Sequence, residues 1–157
     1  MKLLTYKHKD TQKIGILKGD AIIDIETLGF KHNSTFPQSM LELIDQGPEI
    51  LKKLEETLKT SSENVIAASS IPTNEVTLLA PIPKPRKNII GIGLNYTEHV
   101  AESARTLDTS NELPQKPVIF SKPPTAVTAT GTNIILNPKL TQQLDWEVEL
   151  AVVIGKG

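Results

Sequence analysis

The sequence contains no cysteine among its 157 residues. Disulfide bridges and thiolate metal sites are therefore excluded, and a reducing cytosol suits the chain better than an oxidising compartment. The charges nearly cancel, leaving a formal net charge of -1. Because there is neither a basic stripe nor an acidic tail, we expect no nucleic-acid partner and no disordered interaction segment.

Long apolar runs are also missing. No stretch approaches the roughly 18 apolar residues that a membrane-spanning helix needs, and the N-terminus, MKLLTYKHKDTQ, lacks the apolar centre of a signal peptide. Hydrophobic residues still make up 38% of the chain, enough for a real core. The length suits one domain, or a small domain plus part of another. We expect a soluble, cytoplasmic protein that does not bind membranes.

Residues 1–80 are predicted to form a small α+β domain. Two β-rich runs, Lys13–Leu17 and Ala21–Ile25, lie on either side of Lys18-Gly19-Asp20. A glycine with charged neighbours between two such runs is typical of a hairpin.

Two helices are predicted after this hairpin. The first, SMLELIDQG, has Ser39 and Glu42 at the spacing of a capping box and Gly47 at its C-terminal end. The second, PEILKKLEETLKTSS, has a proline in its first turn and an apolar stripe, with Glu55 and Lys59 as i,i+4 partners. These features explain structure and suggest no chemistry.

The proline-rich segment APIPKPRKN, Ala80–Asn88, predicts a boundary, because prolines interrupt regular pairing. Residues 81–157 are predicted to form a second, β-rich domain. It includes a short helix, YTEHVAESAR, with Thr97 as a candidate N-cap, followed by a mobile loop, SARTLDTSNELPQK. The predicted strands of this domain are Asn88–Leu94, Pro117–Ser121, Asn133–Asn137 and Asp145–Gly155.

The last predicted strand carries three acidic residues on one face. Alternate residues of a strand share a face, so Asp145, Glu147 and Glu149 point the same way, about 6.6 Å apart in sequence order. Two such glutamates can converge on one cation, and ligands that offer only oxygen favour Mg²⁺, Mn²⁺ or Ca²⁺. The alternative is a solvated acidic face, although the apolar run that follows, LAVVIG, predicts a strand that enters a core.

The predicted helix places His99 and Glu102 at i,i+3, so they are neighbours on one face. A carboxylate beside an imidazole orients it and raises its basicity, which suits a general base acting on water. The alternative is a surface histidine with an exposed ion pair.

Three segments, taken in order, carry a resemblance to a known family. KNIIGIGLNYTEHVAES is followed by PVIFSKPPTAVTATGTNIIL and then by LDWEVELAVVIGKG. Over about residues 87–157 this order resembles the fumarylacetoacetate hydrolase family. The N-terminal region resembles that of bacterial two-part members, including the branch that decarboxylates oxaloacetate.

The resemblance implies an α+β, mainly β, fold class: a small N-terminal α+β domain, then the first part of a mixed β-roll, in a homodimer. It implies Mg²⁺ or Mn²⁺ as cofactor, with Glu147 and Glu149 as metal ligands and Asp145 as a supporting residue. His99 and Glu102 would activate water, and Lys122 would contact the substrate, a small 2-oxo acid.

The main functional expectation is hydrolysis of a C–C bond in acylpyruvate-type acids. The alternatives are decarboxylation of oxaloacetate or isomerisation of 2-hydroxyhepta-2,4-diene-1,7-dioate. The family pattern also includes a third metal carboxylate downstream of Glu149, which this sequence does not contain. We therefore expect a fragment of a longer protein, and leave open that the chain is a non-catalytic module.

Overall fold

The structure is a computed structural model that describes residues 1–107 and 112–155, without the side chains of residues 102, 103 and 105–107. The backbone divides into two compact units. One contains residues 1–83 and 128–157, and the other residues 84–127. The predicted domain ranges, 1–80 and 81–157, stay predictions.

The first unit is built on an antiparallel sheet with the strand order β4-β3-β2-β1-β5. Four helices lie between the third and fourth strands of the chain. The strands are β1 (Leu3–His8), β2 (Thr11–Lys18), β3 (Ala21–Asp24), β4 (Ser70–Pro72) and β5 (Thr77–Leu78); the helices are α1 (Ile25–Lys31), α2 (Met40–Asp45), α3 (Pro48–Thr60) and α4 (Glu63–Ala68).

Two-residue loops join the first three strands. The predicted hairpin is confirmed: Lys18 pairs with Ala21, and Gly19 adopts a φ of 60°, a left-handed conformation that glycine takes without strain. The loop before it consists of Lys9 and Asp10, with φ values of 47° and 65°. Two left-handed residues in succession are the mark of a type I′ turn, whose twist matches that of the strands.

Both predicted helices of this unit are confirmed. Ser39 caps α2, its side chain accepting from the Glu42 N–H while the Glu42 carboxylate accepts from the backbone N–H of Ser39. Gly47, just beyond α2, has a φ of 74°, and α3 begins at the following proline. Apolar side chains of α1, α2 and α3 pack with those of the sheet to form the core, which includes Ile14, Ile23, Leu28, Leu43 and Leu54.

The second unit contains β6 (Ile89–Gly93), α5 (Thr97–Leu107) and β7 (Val118–Lys122). The two strands form an antiparallel ribbon in which Gly91 is opposite Phe120. The strands and the helix predicted for this region are confirmed to within two residues. The first part of the predicted mobile loop is helical, and residues 108–111 lie outside the described residues.

Two strand predictions are wrong. Residues 133–137 and 145–155 have no strand structure, and the apolar side chains there are exposed, Leu150 to 91%. A strand exists only where a neighbouring strand pairs its N–H and C=O groups. Among the described residues none supplies that ladder for either segment. Within residues 1–107 and 112–155, no helix is long and apolar enough to cross a membrane.

Candidate functional site

His99 lies in the first turn of α5, close to the end of β6. Between these elements the backbone reverses through Leu94, whose φ is 53°. A branched residue rarely adopts this left-handed conformation, which costs roughly 1–2 kcal/mol. The turn brings α5 back immediately after the strand, with the Val100 N–H donating to the Tyr96 carbonyl. His99 is half-buried at this position.

Glu102 follows His99 by three residues within the same helix, so the predicted i,i+3 spacing is present in the backbone. The Glu102 side chain lies outside the described residues. The pairing of its carboxylate with the imidazole therefore stays a prediction. Val100, the residue after His99, is buried and anchors this turn of the helix.

Lys122 is the last residue of β7 and is opposite Ile89 of β6. Its side chain is exposed. The ammonium nitrogen lies 5.5 Å from the centroid of the Phe120 ring, within the range of a cation–π interaction. Phe120 was predicted from the sequence to lie in a strand, but it was not predicted to be a site residue.

Glu147 and Glu149 lie in the segment 143–155, which has no regular secondary structure, and both side chains are exposed. Asp145 accepts a hydrogen bond from the Trp146 N–H at 2.8 Å, so it helps to fix the local backbone. The predicted core environment of this segment is absent: Trp146 is 79% exposed. His99 and Lys122 belong to the second unit and these glutamates to the first, so their convergence on one substrate stays a prediction.

The donor chemistry of Glu147 and Glu149 fits a divalent ion that prefers oxygen ligands, such as Mg²⁺ or Mn²⁺. Two carboxylates are fewer than the six ligands that either ion takes, so other oxygen atoms would have to complete the shell. Within residues 1–107 and 112–155, no three His, Asp or Glu residues are grouped closely enough to hold a metal. The role of Glu147 and Glu149 as metal ligands therefore stays a prediction.

A buried polar cluster, also absent from the sequence prediction, lies between the sheet and α1 of the first unit. Tyr6 is fully buried and donates to Asp24, with 2.5 Å between Oη and Oδ2. Asp24 caps α1 by accepting from the Thr27 N–H at 2.7 Å. Lys13 lies 3.2 Å from Asp24 and 2.8 Å from Glu26. The spacing of Asp24 and Thr27 before an apolar run could have indicated the cap.

Burial and hydrogen bonding shift the proton affinities of this cluster. Burial, and then the hydrogen bond to Asp24, raise the pKa of Tyr6 well above its ordinary value. Burial alone would raise the pKa of Asp24, but hydrogen bonds from Thr27, Tyr6 and Lys13 outweigh it and lower that pKa. Burial likewise opposes the charge on Lys13, yet its bonds to Glu26 and Asp24 raise its pKa. The cluster is thus a charged N-cap with its counter-ion.

An apolar groove of about 370 Å³ lies in the first unit, between α2, α3 and β1. Val153 and Gly155, from the same segment as Glu147 and Glu149, form part of its wall, and Gly155 faces Ile44. None of the predicted site residues lines this groove. Its lining offers no carboxylate, imidazole or ammonium group, so it does not suit an acidic substrate.

Comparisons with known proteins agree with the motif order. Residues 88–157 match the family model described as fumarylacetoacetate (FAA) hydrolase, C-terminal. Oxaloacetate tautomerase YisK of Bacillus subtilis (strain 168) is 36% identical over an alignment 162 positions long, which covers 99% of this chain and 52% of that protein. The mitochondrial oxaloacetate tautomerase FAHD2A of Bos taurus is 37% identical over 138 residues, covering 88% of this chain and 38% of that protein.

A solved structure has a similar fold. The fumarylacetoacetate hydrolase from psychrophilic Exiguobacterium antarcticum superposes with a TM-score of 0.60 at 25% identity, over 91% of this chain and 43% of that one. The chain therefore spans about half the length, or less, of the relatives that it matches. The mixed α/β structure with antiparallel sheets agrees with the predicted fold class at this level.

Proposed function

Because the chain belongs to the fumarylacetoacetate hydrolase family, we propose that it forms part of an enzyme that enolises a 2-oxo acid of the oxaloacetate type. The observation that carries this proposal is the similarity to oxaloacetate tautomerase YisK, which extends over 99% of this chain. Both the N-terminal region and the three motifs are included in that alignment. The oxaloacetate alternative is thus better supported than acylpyruvate hydrolysis, the main expectation from the sequence.

Enolisation needs one group that moves a proton and others that hold the substrate. His99 is half-buried on a helix, so its imidazole can face both substrate and solvent. In the proposed reaction it takes a proton from the carbon next to the keto group, and the C–H electron pair forms the C=C bond. The imidazolium then returns a proton to the keto oxygen. Glu102 would orient the imidazole.

Lys122 is suited to hold a substrate carboxylate, because its ammonium group is exposed at the end of β7. Glu147 and Glu149 would hold Mg²⁺ or Mn²⁺. Such an ion, when bound, supplies positive charge that stabilises the developing negative charge on the substrate oxygens. Decarboxylation draws on the same stabilisation, whereas hydrolysis additionally needs an activated water.

The rate of enol–keto conversion of oxaloacetate, followed by ultraviolet absorbance with Mg²⁺ or Mn²⁺ present, tests the reaction. We expect His99→Ala to lower the rate by about 10²–10⁴-fold, the usual contribution of a general acid–base group. His8→Ala is the matched control, since His8 is also half-buried but lies at the end of β1. Acetylpyruvate is assayed beside oxaloacetate. Cleavage of acetylpyruvate without any effect on oxaloacetate would refute the proposed reaction.

Metal binding is tested separately by calorimetric titration with Mn²⁺. Glu147→Gln and Glu149→Gln should each weaken binding, because each removes a charged oxygen ligand. Glu56→Gln, an exposed glutamate on α3, is the control and should leave binding unchanged. Equal Mn²⁺ affinity in all three variants would show that these glutamates are not ligands.

The homodimer stays part of the proposal. Sedimentation of the chain at several concentrations distinguishes a dimer from a monomer. A monomer that turns over oxaloacetate would remove dimerisation from the proposed function and leave the reaction unaffected.

A further inference from the structure

On one side of the ribbon of the second unit, two of the three β6 positions are glycines and the third is Ile89. Gly91 and Gly93 share this side, opposite Phe120 and Val118 of β7. A Cβ atom added at Gly91 would lie 2.4 Å from Phe120 Cζ and 2.7 Å and 2.8 Å from its two Cε atoms. Real Cβ contacts do not reach such distances, so the Phe120 ring occupies the space that a side chain at Gly91 would need.

Gly93 is different, although it lies in the same strand and on the same side. A Cβ atom there would be 3.6 Å from Val118 Cγ1 and 3.7 Å from Phe120 Cδ1, which is ordinary van der Waals contact. Neither glycine has a positive φ. Close approach of the ring, rather than backbone conformation, therefore accounts for glycine at Gly91.

The ring that lies across Gly91 also contacts the lysine of the proposed site. Phe120 and Lys122 are two residues apart in β7 and so project from the same side. The Lys122 ammonium nitrogen is 5.5 Å from the ring centroid. An ammonium group at this distance from an aromatic face is attracted by the ring quadrupole. A long, flexible side chain is thereby held in fewer orientations.

We infer that Phe120 is a positioning residue for Lys122, and that Gly91 is required because it leaves room for the ring. The contacts of Phe120 with Gly91 and with Lys122 are seen within β6 and β7 and do not depend on the proposed function. The consequence for substrate binding rests on the proposed function, in which Lys122 holds a carboxylate. Phe120 itself is not assigned any contact with the substrate.

The placement is tested by NMR of the 157-residue chain with ¹³Cε-labelled lysine. The resonance of Lys122 is identified by its loss in Lys122→Arg. In the unaltered protein, the ring current of Phe120 should displace this resonance upfield of the other lysines. Phe120→Leu keeps apolar bulk but removes the ring, so the displacement should disappear. Phe120→Tyr keeps the ring and should restore it.

The two glycines provide a matched pair of variants. Gly91→Ala should displace the ring and reduce the upfield shift, whereas Gly93→Ala should leave the shift in place. The inference is overturned if Phe120→Leu leaves the Lys122 resonance where it is in the unaltered protein. It is also overturned if the two glycine variants give the same shift. Because the Phe120 variants do not depend on the glycines, misfolding of Gly91→Ala would not remove the test.

The functional consequence is measured on the same samples by titration with oxaloacetate in the presence of Mg²⁺. Phe120→Leu should weaken the apparent affinity about two- to five-fold, the effect of an exposed cation–π contact, while Phe120→Tyr should match the unaltered chain. If the unaltered chain fails to bind oxaloacetate, the proposed function fails, and the NMR result still decides the placement of Lys122. If oxaloacetate binds and Phe120→Leu has no effect on affinity, the positioning role is refuted.

Discussion

Replacing Tyr6 by phenylalanine removes one hydrogen bond from the buried cluster and changes little else. The ring stays buried, and Asp24 keeps its bonds from Thr27 and Lys13. A hydrogen bond to a charged acceptor contributes about 1.5–3 kcal/mol. We therefore expect Tyr6→Phe to lower the free energy of unfolding by about 2 kcal/mol. With a urea dependence of about 2 kcal/mol per molar, the unfolding midpoint should fall by about 1 M.

Urea titrations followed by far-ultraviolet circular dichroism measure this change, because α1–α4 belong to the first unit. Fluorescence is less informative, since the single tryptophan, Trp146, is already exposed in the folded chain. Tyr96→Phe is the matched control: Tyr96 is the other tyrosine and is 57% exposed. Surface substitutions usually change stability by less than about 0.5 kcal/mol.

The same comparison predicts a dependence on pH. The raised pKa of Tyr6 means that the folded protein keeps this proton longer than the unfolded chain does. The contribution is complete below the unfolded pKa of about 10 and is lost as the pH rises above it. The lowered pKa of Asp24 acts in the opposite direction. Its contribution is complete above about pH 4 and is lost as the pH falls towards the folded-state value.

The stability difference between Tyr6→Phe and the unaltered chain should therefore shrink above about pH 10. Lys13, whose pKa is also raised, is present in both proteins, so its own titration largely cancels in the difference. A difference that stays constant from neutral pH to pH 11, or one below about 0.5 kcal/mol, would refute this account of the cluster.

Three other substitutions have a clear expected direction. Gly15→Ala should destabilise the first unit by about 1–3 kcal/mol, because the new Cβ would lie 2.3 Å from Ile22 Cγ2; thermal unfolding measures this. Ser69→Ala should stabilise the first unit by about 1 kcal/mol, because the buried Ser69 Oγ has no hydrogen-bond partner among the described residues. Its control, Ser70→Ala, loses a hydrogen bond to the Ile66 carbonyl and should destabilise the first unit. Leu94→Gly should relieve the backbone strain of a leucine at a φ of 53° and stabilise the second unit by about 0.5–1 kcal/mol. Hydrogen exchange of the β6 amides measures this change and should become slower.

The helices and strands that were predicted correctly are those indicated by residues close to one another in the sequence. The capping box of Ser39 and Glu42, the glycine of the β2–β3 loop and the stripe of α3 are each decided by neighbours in sequence. The helices α1 and α4 were missed because, at seven and six residues, each is too short for a clear apolar period, whereas α2, also six residues long, is marked by its capping box. Asp24 ends β3 and caps α1, so one residue serves two elements.

The sequence motifs predict the chemistry of the candidate site, which stays a prediction, and they say less about its geometry. His99, Lys122 and Glu147 follow from motifs, which record residue types and spacing. The contact between Phe120 and Gly91 links residues from different strands, and it depends on the register of β6 and β7. No local pattern specifies which residue of one strand faces which residue of another. Register therefore had to be seen before Phe120 could be connected with Lys122.

The segment 145–155 shows why an alternating pattern does not by itself make a metal site. Its pattern places Glu147 and Glu149 on one side only if the backbone is held as a strand, and a strand is held by a neighbour. None of the described residues forms a strand ladder with this segment, so strand geometry does not set the spacing of the two carboxylates. Binding of Mn²⁺ should then depend on whatever polypeptide pairs with residues 145–155. Affinity that rises with chain concentration would identify a second copy as that polypeptide.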